Sequence, residues 1–120
     1  MISIIIPVIN EADTIVSLLD YISKNSSLKN ISEVIVVDGG SQDKTSQTVD
    51  LYAKNSTLNI QLITSEKGRA RQMNKGARFA TGSILYFLHA DSFPPNNFDD
   101  SIISEIKKGK TAGCFRMKFD

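Results

Sequence analysis

The stretch Ser83-Ile-Leu-Tyr-Phe-Leu-His-Ala-Asp-Ser-Phe-Pro-Pro95 decides the fold, because an apolar run leads directly into a histidine and a carboxylate. Ile84 to Leu88 carry no charge and do not alternate with polar residues, a pattern typical of a strand covered on both faces in a parallel sheet. The two prolines at its end prevent the strand from continuing, since proline has no N–H for the ladder. We therefore expect His89 and Asp91 at the carboxyl edge of a sheet, where ligands bind in open α/β proteins.

The rest of the chain alternates apolar runs with segments of helical periodicity. The runs predict further strands at residues 2–7, 31–38, 58–64 and 112–119. Five strands interleaved with four helices imply right-handed βαβ crossovers and a mostly parallel, doubly wound, Rossmann-like sheet. The predicted fold class is therefore α/β, in a single domain over residues 1–120.

Local patterns predict details of two helices. Asn10 followed by Asp13 resembles a capping box, so we expect Asn10 to cap the first helix. The third helix is predicted over 69–80, and its apolar face comprises Ala70, Met73, Ala77 and Ala80. Gly68 and Gly76 are costly beside or inside a helix, and this cost indicates the close approach of another group.

Composition excludes several classes of function. A content of 41% hydrophobic and 22% charged residues describes a globular domain, and a net charge of +1 gives no overall field for nucleic acid or membrane. Cys114 is the single cysteine, so it cannot form an internal disulfide or, with one histidine, a closed zinc site. The apolar start is too short and lacks the basic flank of a signal peptide. We expect a cytoplasmic protein with no nucleic-acid partner and no transmembrane segment.

Polar residues follow three of the predicted strands, and parallel strands gather such ends at one edge. Asn10 and Glu11 follow the first strand, Asp38 the second, and His89 and Asp91 the fourth. Asp38 precedes two glycines that leave the backbone open to a ligand, although a turn-forming aspartate explains it equally well. For Glu11 the simpler explanation is a favourable charge in the first turn of a helix. Asp91 beside the only histidine is a good oxygen ligand for a divalent cation, and we favour that function over a surface turn.

A basic segment opens the third helix. Arg69, Arg71 and Lys75 surround the helix start, where cations and backbone N–H groups together can hold phosphate. A solvated basic face is the more usual explanation for such a run. The segment is not a Walker loop, and no Gly-x-Gly-x-x-Gly opens the first helix. P-loop nucleotide hydrolysis and standard dinucleotide binding are therefore both disfavoured.

Four segments together resemble successive motifs of family 2 glycosyltransferases, in the family's order. They are Ile4-Ile-Ile-Pro-Val-Ile-Asn-Glu11, Val36-Val-Asp-Gly-Gly-Ser-Gln-Asp-Lys-Thr45, Gly68-Arg-Ala-Arg-Gln-Met-Asn-Lys-Gly76 and Leu88-His-Ala-Asp91. The resemblance spans nearly the whole chain and implies the nucleotide-binding half of a GT-A fold. It also implies an inverting transfer of a sugar from a nucleoside-diphosphate sugar to an unknown acceptor.

The same resemblance implies which residues bind the donor and a metal. Those that would contact the nucleotide are Pro7, Val8, Asn10, Glu11, Asp38, Gly39, Gly68, Arg71, Ala90 and Asp91, with Asp38 at the base. His89-Ala-Asp91 occupies the place of the family's Asp-x-Asp metal motif, with histidine at the first carboxylate, and it resembles a bacterial subgroup. His89 and Asp91 would hold Mn²⁺ or Mg²⁺, and the imidazole favours Mn²⁺.

Family members are longer than this chain, and the resemblance implies that their acceptor half and general base lie beyond Asp120. The alternative is a nucleotide-binding module or truncated remnant without transferase activity, which a genuine stop codon at this point would favour. A third hypothesis is a nucleotidyltransferase, which would need a glycine-rich and basic loop after the first strand. The segment Pro7-Val-Ile-Asn-Glu11 at that position does not supply one.

The predicted last strand carries Phe115, Met117 and Phe119 on one face, with no following element to cover them. We therefore expect the chain alone to form a homo-oligomer through this strand or to be unstable there. We also expect it to transfer no sugar, because no carboxylate is left to act as the general base at the acceptor. A full-length protein could also lie peripherally on a membrane.

Overall fold

The computed structural model of the protein describes residues 1–107 and 114–116. Its elements are β1 (Ile2–Val8), α1 (Ile15–Asn25), β2 (Ile31–Asp38), α2 (Thr45–Lys54), β3 (Ile60–Thr64), α3 (Arg69–Phe79), β4 (Ile84–Phe87), α4 (Phe98–Lys107) and β5 (Cys114–Arg116). The strands form one sheet in the order β3-β2-β1-β4-β5, and every neighbouring pair is parallel. The predicted α/β fold with a parallel sheet is confirmed.

The sheet separates two apolar layers, which is why its central strands show no polar alternation. One layer lies under α1, α2 and α4, and its strand residues include Ile4, Ile6, Val34 and Val36. The other lies under α3 and consists of Ile5, Ile35 and Val37, with Ala77 and Ala80 packed against it. Helices on both faces make the sheet doubly wound.

The helix α3 lies close to the sheet because it presents a glycine to it. A Cβ at Gly76 would lie 2.6 Å from Ile5 Cγ2 and 3.1 Å from Val37 Cγ2. The expected close approach at Gly76 is therefore confirmed. The predicted alanine face is wrong at Ala70, which is exposed, because the buried residues of α3 are Gln72 and Gly76.

The start of α1 differs from the predicted capping box. Its N-cap is Thr14, and no side chain caps the helix. Asn10 has a φ of 54°, and its Oδ1 accepts hydrogen bonds from the backbone N–H groups of Gln42 and Asp43 at 2.8 and 3.3 Å. The Asn10 side chain is therefore committed to the loop after β2, and the capping prediction is wrong.

A buried carboxylate ties the amino edge of the sheet together. Glu33 of β2 is 1% exposed and accepts hydrogen bonds from the Ser3 hydroxyl and from the backbone N–H and hydroxyl of Thr81. Ser3 Oγ in turn accepts the Gly82 N–H at 2.8 Å. Burial on its own raises the pKa of Glu33, but the hydrogen bonds from Ser3, Thr81 and Gly82 outweigh it and hold the pKa below 4.5. This carboxylate thus links β1, β2 and the turn before β4.

Some predicted boundaries shift in the structure. The strand β4 ends at Phe87, one residue earlier than predicted, although the Leu88 N–H still donates to Ile5 O at 3.0 Å. The predicted apolar face of Phe115, Met117 and Phe119 lies outside the described side chains. Within residues 1–107 and 114–116, no helix has the length and apolar character needed to cross a membrane.

Replacing the buried carboxylate by an amide is expected to destabilise the protein at neutral pH. In Glu33→Gln an NH₂ group would face the donors of Ser3 and Thr81, so we expect a loss of about 1–3 kcal/mol in the free energy of unfolding. Because the pKa of Glu33 is lowered in the folded state, its contribution is complete above pH 4.5 and is lost as the pH falls through the folded-state value.

Urea denaturation of both proteins at about pH 7 and about pH 3 measures this difference. A difference in unfolding free energy that does not shrink on acidification would contradict the role given to Glu33.

Adding a methyl group to α3 at its contact with the sheet is expected to destabilise the fold. The Cβ of Gly76→Ala would overlap the Ile5 side chain, so we expect a loss of about 1–3 kcal/mol despite the better helix propensity of alanine. Asn74→Ala, at an exposed position of the same helix, is the matched control and should stay within about 0.5 kcal/mol of the wild type. Denaturant unfolding curves compare the three proteins, and equal stability of both variants would refute the close packing.

Candidate functional site

A cleft of about 260 Å³ lies at the carboxyl edge of the sheet. Its walls come from the end of β1, the turn that opens α3 and the residues after β4. The lining residues are Pro7, Val8, Ile9, Glu11, Lys67, Gly68, Arg69, Gln72, His89 and Ala90. Parallel pairing thus brings segments that are distant in sequence to one site, as the topology predicts.

The structure places half of the predicted nucleotide residues in this cleft. Those that line it are Pro7, Val8, Glu11, Gly68 and Ala90. Asn10 and Gly39 belong to the loops after β1 and β2, and Asp38 is the last residue of β2. Arg71 does not line the cleft: it borders a second depression of about 460 Å³, where its guanidinium pairs with Glu66.

Asp38 ends β2 as a buried carboxylate, 3% exposed. Its Oδ1 accepts the backbone N–H groups of Gly40 and Ser41 at 2.9 and 2.7 Å, and its Oδ2 accepts the Ser46 hydroxyl. Burial raises the pKa of Asp38, but the hydrogen bonds from Ser46, Ser41 and Gly40 outweigh it and lower the pKa. Asp38 therefore shapes the turn after β2 as an ionised group, and the φ of 103° at Gly40 explains the glycine there.

The loops that follow β1 and β2 are joined by hydrogen bonds. Three backbone N–H groups of the first loop donate to side chains of the second: Asn10 to Ser41 Oγ at 2.8 Å, Glu11 to Thr45 Oγ1 at 2.9 Å and Ala12 to Asp43 Oδ2 at 3.3 Å. The Thr45 hydroxyl is the main cause that lowers the pKa of Asp43. These hydrogen bonds fix the position of Glu11, which belongs to one wall of the cleft, against the loop after β2.

The charged groups of the cleft are of both signs. Glu11 Oε2 accepts the Thr14 hydroxyl at 2.7 Å, next to the first turn of α1. Glu11 thus lines the cleft and also sits where its charge suits a helix start. Lys67 and Arg69 supply cations on either side of Gly68, whose φ of 138° requires glycine. Two cations beside the first turn of a helix can hold an anionic ligand.

Gln72 is the site residue that sequence reasoning did not single out. It is 4% exposed, and its Nε2 donates to Val8 O at 2.9 Å and to Val37 O at 2.8 Å. Its Oε1 accepts the Gly68 N–H at 3.4 Å. The available sequence signal was its spacing of four residues from Gly76, which places both on the face of α3 that meets the sheet.

His89 and Asp91 follow β4, with His89 in the cleft wall and Asp91 exposed in the next turn. Within the described part of the chain, no group of three or more His, Cys, Asp or Glu side chains could hold a metal ion. One imidazole and one carboxylate fit a Mn²⁺ or Mg²⁺ ion only if a ligand such as a diphosphate supplies further oxygens.

The loop that carries His89 and Asp91 contacts α1. The ring of Tyr21 packs edge-on against Phe93, with 5.2 Å between the ring centroids. The Tyr21 hydroxyl donates to Asn96 Oδ1 at 3.1 Å. The position of His89 and Asp91 therefore depends on α1 as well as on β4.

Comparison with known proteins places this geometry in a family. The sequence model of Glycosyl transferase family 2 matches residues 3–120. Glycosyltransferase AglE of Haloferax volcanii is 33% identical over 106 residues, which cover 88% of this chain and 35% of that protein.

Solved structures show the same fold. The crystal structure of Staphylococcus aureus TarS 1-349 superposes with a TM-score of 0.78 at 26% identity, covering 89% of this chain and 32% of TarS 1-349; TarS is also solved with UDP-GlcNAc. The mannosyltransferase PcManGT from Pyrobaculum calidifontis, in complex with GDP-Man and Mn²⁺, superposes with a TM-score of 0.75 at 32% identity. The match covers 88% of this chain and 31% of the PcManGT chain. The chain spans about a third of the length of these relatives. By the match over residues 3–120, the chain belongs to glycosyl transferase family 2.

Proposed function

We propose that the chain binds the donor of a glycosyl transfer, a nucleoside-diphosphate sugar, in the cleft at the carboxyl edge of its sheet. The observation that carries the proposal is the cleft itself, which is lined by Lys67, Arg69 and His89. Asp38 lies next to it, because it pairs with Val8 of the cleft wall. Two structural relatives support it, since TarS is solved with UDP-GlcNAc and PcManGT with GDP-Man and Mn²⁺. Relatives named as glycosyltransferases favour an enzyme over the alternative of an inactive remnant.

Lys67, Arg69 and the first turn of α3 would hold the diphosphate, because they bring positive charge and the positive end of a helix to one wall. Asn10, Asp38 and Gly39 would form the base end beside Pro7 and Val8. Arg71 would reach the nucleotide only after its ion pair with Glu66 opens, which costs little since both side chains are largely exposed.

His89 and Asp91 would hold a divalent ion against the phosphate oxygens. The ion supplies positive charge that stabilises the leaving nucleoside diphosphate. The variant His-Ala-Asp motif, which we place in a bacterial subgroup of the family, makes Mn²⁺ the preferred ion.

An inverting transfer needs a general base at the acceptor hydroxyl. Glu11, the carboxylate of the cleft wall, is engaged with the Thr14 hydroxyl. We place the base and the acceptor site in the additional length that the relatives have, and this chain in the donor half of the reaction.

Calorimetric titration tests the proposal most directly. The chain should bind UDP, GDP or CDP in the presence of Mn²⁺, and removal of the metal with EDTA should weaken that binding. Absence of binding to all three nucleotides with Mn²⁺ present would refute it.

Removing the exposed carboxylate after β4 should abolish the metal dependence. In Asp91→Ala we expect nucleotide affinity with Mn²⁺ to fall about tenfold or more, while affinity in EDTA stays at the wild-type level. Asp50→Ala removes an exposed carboxylate from α2 and is the matched control, with no change expected. An Asp91→Ala protein that keeps its Mn²⁺-assisted affinity would show that Asp91 is not a ligand.

Exchanging the imidazole for a carboxylate should alter the choice of metal. His89→Asp restores two hard oxygen donors, so nucleotide affinity with Mg²⁺ should rise relative to that with Mn²⁺. Titration of the same nucleotide with each metal gives the ratio, and His89→Ala serves as the control for simple loss of a ligand. If the ratio is the same in His89→Asp and the wild type, the imidazole does not bind the ion.

A further inference from the structure

We propose that Gln72 is a positioning residue: its side-chain amide sets the width of the cleft by holding the ends of β1 and β2 and the Gly68 turn at fixed distances from one another. This inference rests on the proposed function, because the width of the cleft matters to a nucleotide only if one binds there.

The amide contacts all three segments through hydrogen bonds. Its Nε2 donates both protons to strand-end carbonyls, Val8 O at 2.9 Å and Val37 O at 2.8 Å. Its Oε1 accepts the Gly68 N–H at 3.4 Å. With 4% of the residue exposed, water cannot readily replace these partners, so a lost bond leaves a buried carbonyl unsatisfied.

The neighbouring glycine leaves just enough space for the amide. A Cβ at Gly39 would lie 2.7 Å from Gln72 Cδ and equally close to Oε1. The Gly39 N–H donates to Val8 O at 3.0 Å, so this carbonyl receives one bond from each of the two residues. The amide therefore fills the space beside Gly39, and a side chain at position 39 would collide with it.

The backbone of Gln72 is fixed as well as its side chain. One turn later Gly76 holds α3 against Ile5 and Val37, and the Gln72 N–H donates to Gly68 O at 2.9 Å. The side chain thus spans a set distance between the helix and the strand ends, and it keeps that distance fixed. Val8 and Gly68 both line the cleft, so a change in the Gln72 side chain would move two of the cleft walls.

A purely structural role makes a different prediction from a positioning role. If Gln72 only stabilised the fold, its loss would lower the melting temperature and leave nucleotide affinity in the folded protein unchanged. If it positions the walls, affinity falls at temperatures where the variant is fully folded.

Two variants separate these roles. Gln72→Met keeps the length of the side chain and removes its hydrogen bonds, while Gln72→Glu keeps the shape but turns carboxylate oxygens toward the carbonyls of Val8 and Val37. Ser3→Ala is the control, since it removes a buried hydrogen bond at the opposite edge of the same sheet. The readouts are the melting temperature, the affinity for UDP and for GDP with Mn²⁺, and amide hydrogen exchange at Gly39 and Gly68.

We expect all three variants to lower the melting temperature, and only the two Gln72 variants to weaken nucleotide binding, by about tenfold or more. Equal affinity in Gln72→Met, Ser3→Ala and the wild type would overturn the proposal. If Gln72→Glu does not fold, Gln72→Met decides alone.

Failure of the proposed function gives a distinct result. If the wild type binds none of UDP, GDP and CDP, the donor assignment is wrong, and hydrogen exchange then decides whether Gln72 fixes the walls. Faster exchange at Gly39 and Gly68 in Gln72→Met but not in Ser3→Ala supports the positioning role of Gln72, and unchanged exchange overturns it.

Discussion

Burial of β1 on both faces is the constraint on which the rest of the structure depends. Ile2, Ile4, Ile5 and Ile6 are fully buried. The strand pairs in parallel with β2 on one side and β4 on the other. Such a strand needs helices on both faces, and each crossover helix must return the chain to the same amino edge. The carboxyl ends of the strands, with the polar residues that follow them, therefore meet at the opposite edge, and the cleft is a consequence of how the core is buried.

The strand β2 carries a buried carboxylate near each of its ends, and both are stabilised by hydrogen bonds from hydroxyl and N–H groups. Glu33 is held by the hydroxyls of Ser3 and Thr81, and Asp38 by the Ser46 hydroxyl and turn N–H groups. Hydrogen bonds to the ionised form lower both pKa values although burial alone would raise them. The two carboxylates have different tasks, since one joins the sheet to the turn before β4 and the other shapes the turn beside the cleft.

The fold could be predicted from the sequence because strands that are buried on both faces appear as apolar runs without alternation. The segments between these runs show helical spacing. Much of the site could not be predicted, because hydrogen bonds between side chains and distant backbone groups produce no regular pattern in the sequence. Asn10 looked like a helix cap, yet its partners lie in the loop after β2. Gln72 was hidden in a basic run whose other members are mostly exposed, and only the positions of Val8 and Val37 show why it is buried. Arg71 carried the right charge, but Glu66 draws its side chain to a different depression.

The joint between the first two loops also bears on the order in which the molecule folds. Its hydrogen bonds connect residues 31 to 34 positions apart, from Asn10 to Ser41 and from Glu11 to Thr45. Closing a segment of that length costs entropy that a few surface hydrogen bonds do not offset, so the joint cannot form before β1 and β2 have paired. We therefore expect this wall of the cleft to form only after β1 and β2 have paired.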